Sequence, residues 1–172
     1  MRRRSRIQRN NQVFVSNQAP QFQIQLSHAR RFAQAILKLL RFKKVVLSLT
    51  FVTDRVMSNL NQQFLNHSYV TDVLAFPVSQ KLKVNRLQKS QRETQNQFLG
   101  EVVIAPNQAK VRSKEYEVSF SDELSRYICH GILHLAGFRD KTVAQTKKMR
   151  QKEDFLLTQL LKDRLGIISH GN

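Results

Sequence analysis

Two histidines four residues apart are the side chains in this sequence best suited to chemistry. His130 and His134 lie in the stretch ICHGILHLAGFRD, where they are followed by Gly137 and then by Asp140. Side chains four apart on a helix share one face, so the two imidazoles can bind one metal ion. Gly137 can adopt the left-handed conformation that ends a helix, which turns Asp140 back towards the pair. The pattern offers two nitrogen ligands, one oxygen ligand and a fourth position for water.

The same stretch is also compatible with an apolar core helix whose histidines are satisfied by backbone carbonyls or water. Its spacing matches the extended zinc-protease motif, but Gly131 stands where that motif has its glutamate. Cys129 lies about 100° around the helix from His130, so we interpret it as a core residue and not as a ligand. Spacing alone therefore leaves both the metal site and the core helix open.

Such a site needs a framework, and the hydrophobic pattern predicts one that mixes strands and helices. Strand formers cluster in VVLSLTFVT, TDVLAFPV and FLGEVVIAP, at residues 45–53, 71–78 and 98–106. Helices are expected to follow Ser27, Asp54, Asn107, Ser121 and Thr142. Because strands and helices do not alternate strictly, we predict an α+β fold. It consists of a small mixed sheet of about four strands, packed with about five helices, with the metal site at the end of a helix.

Polar residues predict where individual helices begin. Ser27, Asp54 and Ser121 are the expected N-caps of the first, second and fourth helices. Thr142 and Gln145 have the spacing of a capping box at the start of the last helix. The inward faces are expected to carry Val56, Met57, Leu60 and Phe64 in the second helix and Met149, Leu156 and Leu160 in the last.

Composition predicts one domain with unstructured ends. Residues 1–12 are expected to form a disordered basic arm, because their arginines have almost no apolar neighbours to bury. Residues 13–166 are expected to form the single domain, and residues 79–97 within it a mobile basic loop. Residues 167–172 are expected to be a tail.

The cellular compartment is predicted from cysteine usage and from the amino terminus. A single cysteine suits a reducing compartment, and the arginine-rich start is not followed by the apolar run of a signal peptide. The longest apolar run is interrupted by Ser48 and Thr50 and is too short to span a bilayer. We therefore expect a cytoplasmic protein that does not bind membranes.

The charge of the chain points to a polyanionic partner. The formal net charge is +17, and eleven Lys and Arg precede Asp54 without a single Asp or Glu among them. A field of this sign attracts phosphate backbones and speeds encounter with them. It speaks against small neutral substrates.

The segment HGILHLAGF resembles the signature H-G-x-L-H-L-x-G-[YF] of the YbeY family of rRNA maturation factors. LNQQFLNHSYVTDVLAFP and LGEVVIAPNQA resemble two further motifs of that family in the same order, so the resemblance covers roughly residues 45–162. It implies a single-strand-specific, metal-dependent endoribonuclease acting in late 16S rRNA maturation and ribosome quality control. Zinc-activated water would hydrolyse the phosphodiester bond.

Carried over to this chain, the resemblance makes His130 and His134 the first two zinc-binding histidines and the catalytic residues. Asp140 stands where the family has its third histidine, and Arg139 where it usually has an aspartate. A carboxylate is a sound zinc ligand, so His130, His134 and Asp140 are expected to bind one Zn²⁺ ion. Because aspartate is shorter and harder than histidine, metal affinity or preference is expected to differ.

Two other positions depart from the family. Glu101 replaces an aspartate, which keeps the charge. The arginine that the family has shortly before T-D-V-L, implicated in handling the RNA phosphate, is missing here. His67, Arg55 and Arg139 are candidates to replace it.

The expected partners are single-stranded RNA, ribosomal RNA in particular, and the small ribosomal subunit; no DNA is expected. Two alternatives stay open. The chain could be an RNA- or ribosome-associated protein whose metal site is structural or lost. It could also be a zinc hydrolase of another bond, which the charge disfavours.

Overall fold

The computed structural model describes residues 10–78 and 97–162, which form four strands and five helices. The strands are β1 (Gln12–Asn17), β2 (Val45–Phe51), β3 (Val73–Pro77) and β4 (Gln97–Ile104). The helices are α1 (Leu26–Leu39), α2 (Asp54–Leu65), α3 (Pro106–Glu115), α4 (Phe120–Leu135) and α5 (Val143–Lys162). This confirms the predicted α+β fold. Within the described ranges, no helix combines the length and the apolar character needed to cross a bilayer.

The four strands form one mixed sheet in the order β1-β2-β4-β3. β1 and β4 pair with β2 in parallel, and β3 pairs with β4 in antiparallel orientation. β3 is an edge strand and ends at Pro77, a residue without an N–H that is tolerated at an edge. β3, which begins just after Asp72, therefore lies at one edge of the sheet.

β1 was not predicted, and it overlaps the expected basic arm. Gln12 already pairs with Val46, and the Asn11 side chain donates a hydrogen bond to the Phe42 carbonyl over 2.9 Å. The arm prediction is thus wrong for residues 10–12, because backbone pairing with β2 orders a segment whose composition is polar. Residues 1–9, 79–96 and 163–172 lie outside the described residues, and so do most of the predicted arm and loop and the whole tail.

Most of the core lies on one face of the sheet, beneath α1, α4 and α5. Alternate residues of the central strands, such as Leu47, Leu49, Val102 and Ile104, are fully buried there. A smaller cluster around Met57 lies under α2 on the other face. The larger cluster fixes α4, which carries both histidines.

Two predicted N-caps near the start of the chain are wrong. α1 begins at Leu26 with Gln25 at its N-cap, and not after Ser27. α2 is capped by Thr53, whose hydroxyl accepts a hydrogen bond from the Val56 N–H over 3.4 Å. In α2 the hydroxyl of Thr53 lies three residues before a free helical N–H and so forms the cap, whereas Gln25 makes no side-chain cap hydrogen bond in α1.

The N-cap of α4 also differs from the prediction: it is Ser119 and not Ser121. The Ser119 hydroxyl accepts a hydrogen bond from the Asp122 N–H over 3.0 Å. At α5 the predicted cap is present, since the Thr142 hydroxyl accepts from the Gln145 N–H over 3.3 Å. The predicted inward residues of α5 are buried as expected: Met149, Leu156 and Leu160.

α2 has a narrower buried face than its apolar residues predicted. Met57 is buried, but Val56 and Phe64 are exposed by 36% and 55%. Asn61 is buried instead, and its amide donates a hydrogen bond to the Tyr69 carbonyl over 2.8 Å. The hydrogen bond of the buried Asn61 side chain thus holds the loop that follows α2 against the helix.

Gly131 lets α4 approach the sheet closely and so fixes the position of its neighbour His130. A Cβ at Gly131 would overlap Val102 Cγ1 and lie 3.0 Å from Val73 Cγ1. We expect Gly131→Ala to lower the free energy of unfolding by about 1–3 kcal/mol, as overpacking does, in urea denaturation. Adding Val102→Ala should restore part of the loss, because it removes the atoms that the new methyl meets. An unchanged midpoint in Gly131→Ala would contradict this close contact.

Candidate metal centre

The two histidines occupy the partly exposed side of α4, near its carboxyl end. Their side chains are 23% and 28% exposed. The opposite side of the helix is fully buried in the core through Ile128, Cys129 and Ile132. Because the core fixes the helix from below, the face with His130 and His134 keeps one orientation towards solvent.

The end of α4 turns the chain back on the histidines. The Phe138 N–H donates a hydrogen bond to the Leu133 carbonyl, and the Gly137 N–H donates one to the His134 carbonyl; the donor–acceptor distance is 3.0 Å in both. This is a Schellman arrangement, and it requires Gly137 in a left-handed conformation, where φ is +92°. The turn predicted at Gly137 is therefore present, and it returns Asp140 to the histidine pair.

Three ligand atoms meet at this end of the helix. The Nε2 atoms of His130 and His134 lie 2.9 Å apart, and Asp140 Oδ2 lies 3.5 Å from the first and 3.6 Å from the second. Among residues 10–78 and 97–162, this is the one group of histidine, cysteine and acidic side chains close enough to hold a metal ion. The structure brings the three predicted ligands together.

The other ring nitrogen of each histidine is held by an acceptor. His130 Nδ1 lies 2.7 Å from Glu153 Oε1, and His134 Nδ1 lies 3.1 Å from the Phe138 carbonyl oxygen. A carbonyl and a carboxylate accept hydrogen bonds, so both Nδ1 atoms donate. In the neutral rings this leaves both Nε2 atoms, which lie 2.9 Å apart, unprotonated, as metal-binding histidines require.

The spacing of the donors fits a small divalent ion. A tetrahedral zinc ion with bonds of about 2.0–2.1 Å separates its ligand atoms by about 3.3 Å. The three distances between Nε2, Nε2 and Oδ2 are 2.9, 3.5 and 3.6 Å and lie on both sides of that value. His130, His134 and Asp140 could hold such an ion after movements of a few tenths of an ångström.

The two histidines differ in proton affinity. Burial lowers the pKa of His130, but the hydrogen bond and charge of Glu153, together with the charges of Asp72 and Asp140, outweigh burial and raise this pKa above its ordinary value. Burial lowers the pKa of His134, and the neighbouring charge of His130 lowers it further. His134 is thus the ring more readily available as a neutral ligand.

Glu153 is a residue of the candidate site that sequence reasoning missed. It is 4% exposed, and it contacts both His130 and Arg126, whose Nη1 lies 3.1 Å from Oε2. It lies in α5 within the inward stripe that also contains Met149 and Leu156. A carboxylate in an apolar stripe is the signal that could have identified it, because a buried acid needs a partner.

We expect Glu153→Gln to weaken metal binding by about 10- to 100-fold, because the amide holds and polarises His130 less well than a carboxylate does. Competition with a zinc-chelating dye measures this effect. Asp154→Asn is the matched control, since Asp154 also bonds Arg126, over 2.9 Å, but does not contact the histidine. Equal affinities in the two variants would show that the bond between Glu153 and His130 does not support the site.

A cleft of about 250 Å³ opens beside the metal centre. His130, Asp140 and Glu153 line it, and its cationic lining residues are Arg112, Arg126 and Arg150. None of the cations proposed from the sequence lines this cleft, namely Arg55, His67 and Arg139. His67 instead stacks on the exposed ring of Tyr69, with centroids 5.2 Å apart.

Cys129 is a core residue, as predicted. It is completely buried in the main hydrophobic cluster. Burial raises the pKa of its thiol to about 12, so the thiolate that metal binding requires is disfavoured. The candidate site therefore offers nitrogen and oxygen atoms as ligands, and no sulfur.

Comparison with known proteins identifies a family that the chain matches. The family model described as Endoribonuclease YbeY matches residues 14–161. Among relatives of that name, the Cytophaga hutchinsonii protein is 29% identical over 147 residues, covering 85% of this chain and 94% of the relative. The Salinibacter ruber protein is 36% identical over 115 residues, covering 67% of this chain and 70% of the relative.

The fold is also similar to a solved structure. The solution structure of a Thermotoga maritima protein superposes with a TM-score of 0.55 at 21% identity, covering 89% of this chain and 94% of that one. This similarity concerns the fold, whereas the family model spans nearly all of the described residues and both histidines. The chain belongs to the Endoribonuclease YbeY family.

Proposed function

We propose that the chain is a zinc-dependent endoribonuclease that hydrolyses phosphodiester bonds in single-stranded RNA. The observation that carries this proposal is the convergence of His130, His134 and Asp140 beside a cleft that three arginines line. Membership of an endoribonuclease family supports the choice of reaction. His130 and His134 are proposed as catalytic residues because they would hold the ion at the reacting atoms.

Each residue of the centre has a role in this reaction. A zinc ion held by the three ligands would lower the pKa of water in its open position towards neutrality and so supply the nucleophile. Glu153 and the Phe138 carbonyl keep both rings oriented. Arg150 lines the cleft and has no hydrogen-bond or ion-pair partner among the described residues, so it is free to contact the phosphate.

We further propose that the substrate is ribosomal RNA, in late 16S rRNA maturation and ribosome quality control. The small ribosomal subunit would be the partner and the cytoplasm the compartment. The net charge of +17 supports binding to a polyanion of this kind. No membrane or DNA partner is proposed.

RNA binding is expected to depend steeply on salt and cleavage on strandedness. The affinity for a single-stranded ribosomal RNA fragment should fall at least about 10-fold between 50 and 200 mM salt, because bound cations are released from phosphates. Fluorescence anisotropy measures the affinity, and gel analysis compares cleavage of the fragment with cleavage of its duplex. Salt-independent binding or equal cleavage of the duplex would argue against a single-strand endoribonuclease.

One observation supports a second candidate function. The Asp140 side chain is 40% exposed, more than either histidine, so it is the ligand most accessible to competing water. A site that had lost catalysis would leave an RNA-associated protein with a structural metal or none. Tight RNA binding by the zinc-loaded protein without any cleavage would favour that function.

A further inference from the structure

The cleft beside the candidate metal centre contains two buried polar groups that form no side-chain hydrogen bond within the described part of the chain. Glu123 and Tyr127 are each 5% exposed and line the cleft on the same side of α4 as His130. No described residue forms a hydrogen bond with the Glu123 carboxylate or with the Tyr127 hydroxyl. Buried polar groups favour hydrogen-bonded partners, so these two are available to a ligand that enters the cleft.

These groups are accessible from the cleft. In the described parts of the chain, the buried side-chain atoms that lack both a partner and solvent contact belong to His28 and Asp54. The polar atoms of Glu123 and Tyr127 are not among them, so they reach the cleft surface. Burial raises the pKa of Glu123, while the charge of Arg126 opposes this rise. A ligand that donates hydrogen bonds would stabilise the buried carboxylate.

A second metal ion does not fit this part of the cleft. The acidic side chain of Asp72 also lines it, but no described group other than the metal centre brings three ligand atoms within reach of one ion. Arg112 and Arg126 lie close enough to act on the charge of Glu123, and they would repel a cation. A neutral group with N–H donors therefore suits this carboxylate better than a cation does.

Nucleobases differ in the donors that they present to a carboxylate. A carboxylate accepts two parallel N–H bonds, and only guanine has two neighbouring donors, N1–H and N2–H, on its Watson–Crick edge. The adjoining O6 of guanine accepts one further bond, which a tyrosine hydroxyl can donate. Uracil offers a single N–H between two carbonyls, and these would face the carboxylate oxygens.

We propose that Glu123 and Tyr127 form a guanine-binding subsite beside the metal centre. The Glu123 carboxylate accepts from N1–H and N2–H, and the Tyr127 hydroxyl donates to O6. Tyr116 lines the same cleft with its ring 60% exposed, and it offers a face on which the base can stack. The cleft volume of about 250 Å³ lies near the lower end of small-ligand sites, which suits one base.

The subsite lies at a useful distance from the proposed reaction. Glu123, Tyr127 and His130 follow one another at intervals of four and three residues, so they share one face of α4. Seven residues of helix span about 10 Å, which is within reach of a nucleotide next to the scissile bond. This inference rests on the proposed endoribonuclease function, and it adds a preference for guanine beside the cleavage position.

The test compares short RNA probes that differ in one base. Oligouridine probes with one central guanine, adenine or cytosine are bound to the full chain carrying His130→Ala, which keeps the probe intact, and anisotropy gives each affinity. The guanine probe should bind about 10-fold more tightly than oligouridine. Adding Glu123→Gln should reduce this ratio to less than about 2-fold. Adding Asp122→Asn, an exposed neighbour with the same change of charge, should leave the ratio unchanged.

Equal affinity for all four probes, or a guanine preference that survives Glu123→Gln, would overturn the subsite. The probe series in the parent chain needs no change at Glu123, so misfolding of that variant cannot obscure the result. Failure of the proposed function is separate. If the protein prefers guanine in binding but the wild-type chain does not cleave RNA, the subsite is supported and the endoribonuclease function is contradicted. If the wild-type chain cleaves RNA but shows no base preference in binding, the endoribonuclease function is supported and the subsite is contradicted.

Discussion

His130→Ala is expected to remove both bound zinc and RNA cleavage. The change takes away one of two nitrogen ligands and leaves the buried carboxylate of Glu153 without its 2.7 Å partner. Loss of residues that only orient a ligand costs about 10- to 100-fold in affinity, so loss of the ligand itself should cost more than about 100-fold. Cleavage should fall at least as far, because no other group among the described residues could hold the metal ion.

The measurement is zinc content and single-strand cleavage in the same preparations of wild type and variant. His67→Ala is the matched control, since this histidine is exposed and lies outside the cleft. It should keep both zinc and activity. Thermal unfolding should show that His130→Ala still folds. A folded His130→Ala protein that cleaves RNA at the wild-type rate would mean that the reaction does not use this centre.

Asp140→Ala is expected to weaken zinc binding by about 100-fold or more, whereas Asp140→His should retain it. The Asp140 oxygen lies 3.5 and 3.6 Å from the two Nε2 atoms, and among the three side chains that could hold the ion it is the one carboxylate. Alanine leaves two ligands, which do not form a stable tetrahedral site. Histidine restores three, and its longer side chain reaches the same point from a backbone that the Gly137 turn has already brought close.

Chelator competition measures the affinity of each variant, and Arg139→Ala provides the control. Arg139 adjoins Asp140 but is exposed and does not line the cleft. Its replacement should leave zinc affinity unchanged. If Asp140→Ala bound zinc as tightly as wild type, the third ligand would have to come from elsewhere.

Features encoded within a few residues could be predicted from the sequence. The four-residue spacing of His130 and His134 places both on one face of α4, and Gly137 fixes the turn that returns Asp140, because both effects are local. The inward stripe of α5 followed from apolar periodicity in the same way. Cap positions were less reliable, because adjacent polar residues such as Ser119 and Ser121 compete and the geometry of the preceding chain decides between them.

Features that depend on distant partners could not be predicted. β1 is ordered by pairing with β2, and Asn11 contacts residues more than thirty positions away. Glu153 reaches His130 across 23 residues, which requires α5 to pack on α4. Such contacts are set by tertiary packing, which a local pattern does not contain.

The residues that line the cleft could not be predicted either, because tertiary packing brings them together. The cations proposed from the sequence were chosen for nearness along the chain or in the motif. The structure places Arg112, Arg126 and Arg150 there instead, one from each of three helices. Which arginines share a surface depends on how α3, α4 and α5 meet.

The most direct test of a zinc-dependent reaction at this centre is a zinc titration of metal-free protein. Bound zinc per chain and the rate of single-stranded RNA cleavage are measured in the same samples. The proposal predicts that the rate is negligible without metal, rises in proportion to bound zinc and stops rising at one ion per chain. Cleavage by the metal-free protein, or no cleavage at one bound ion per chain, would contradict it.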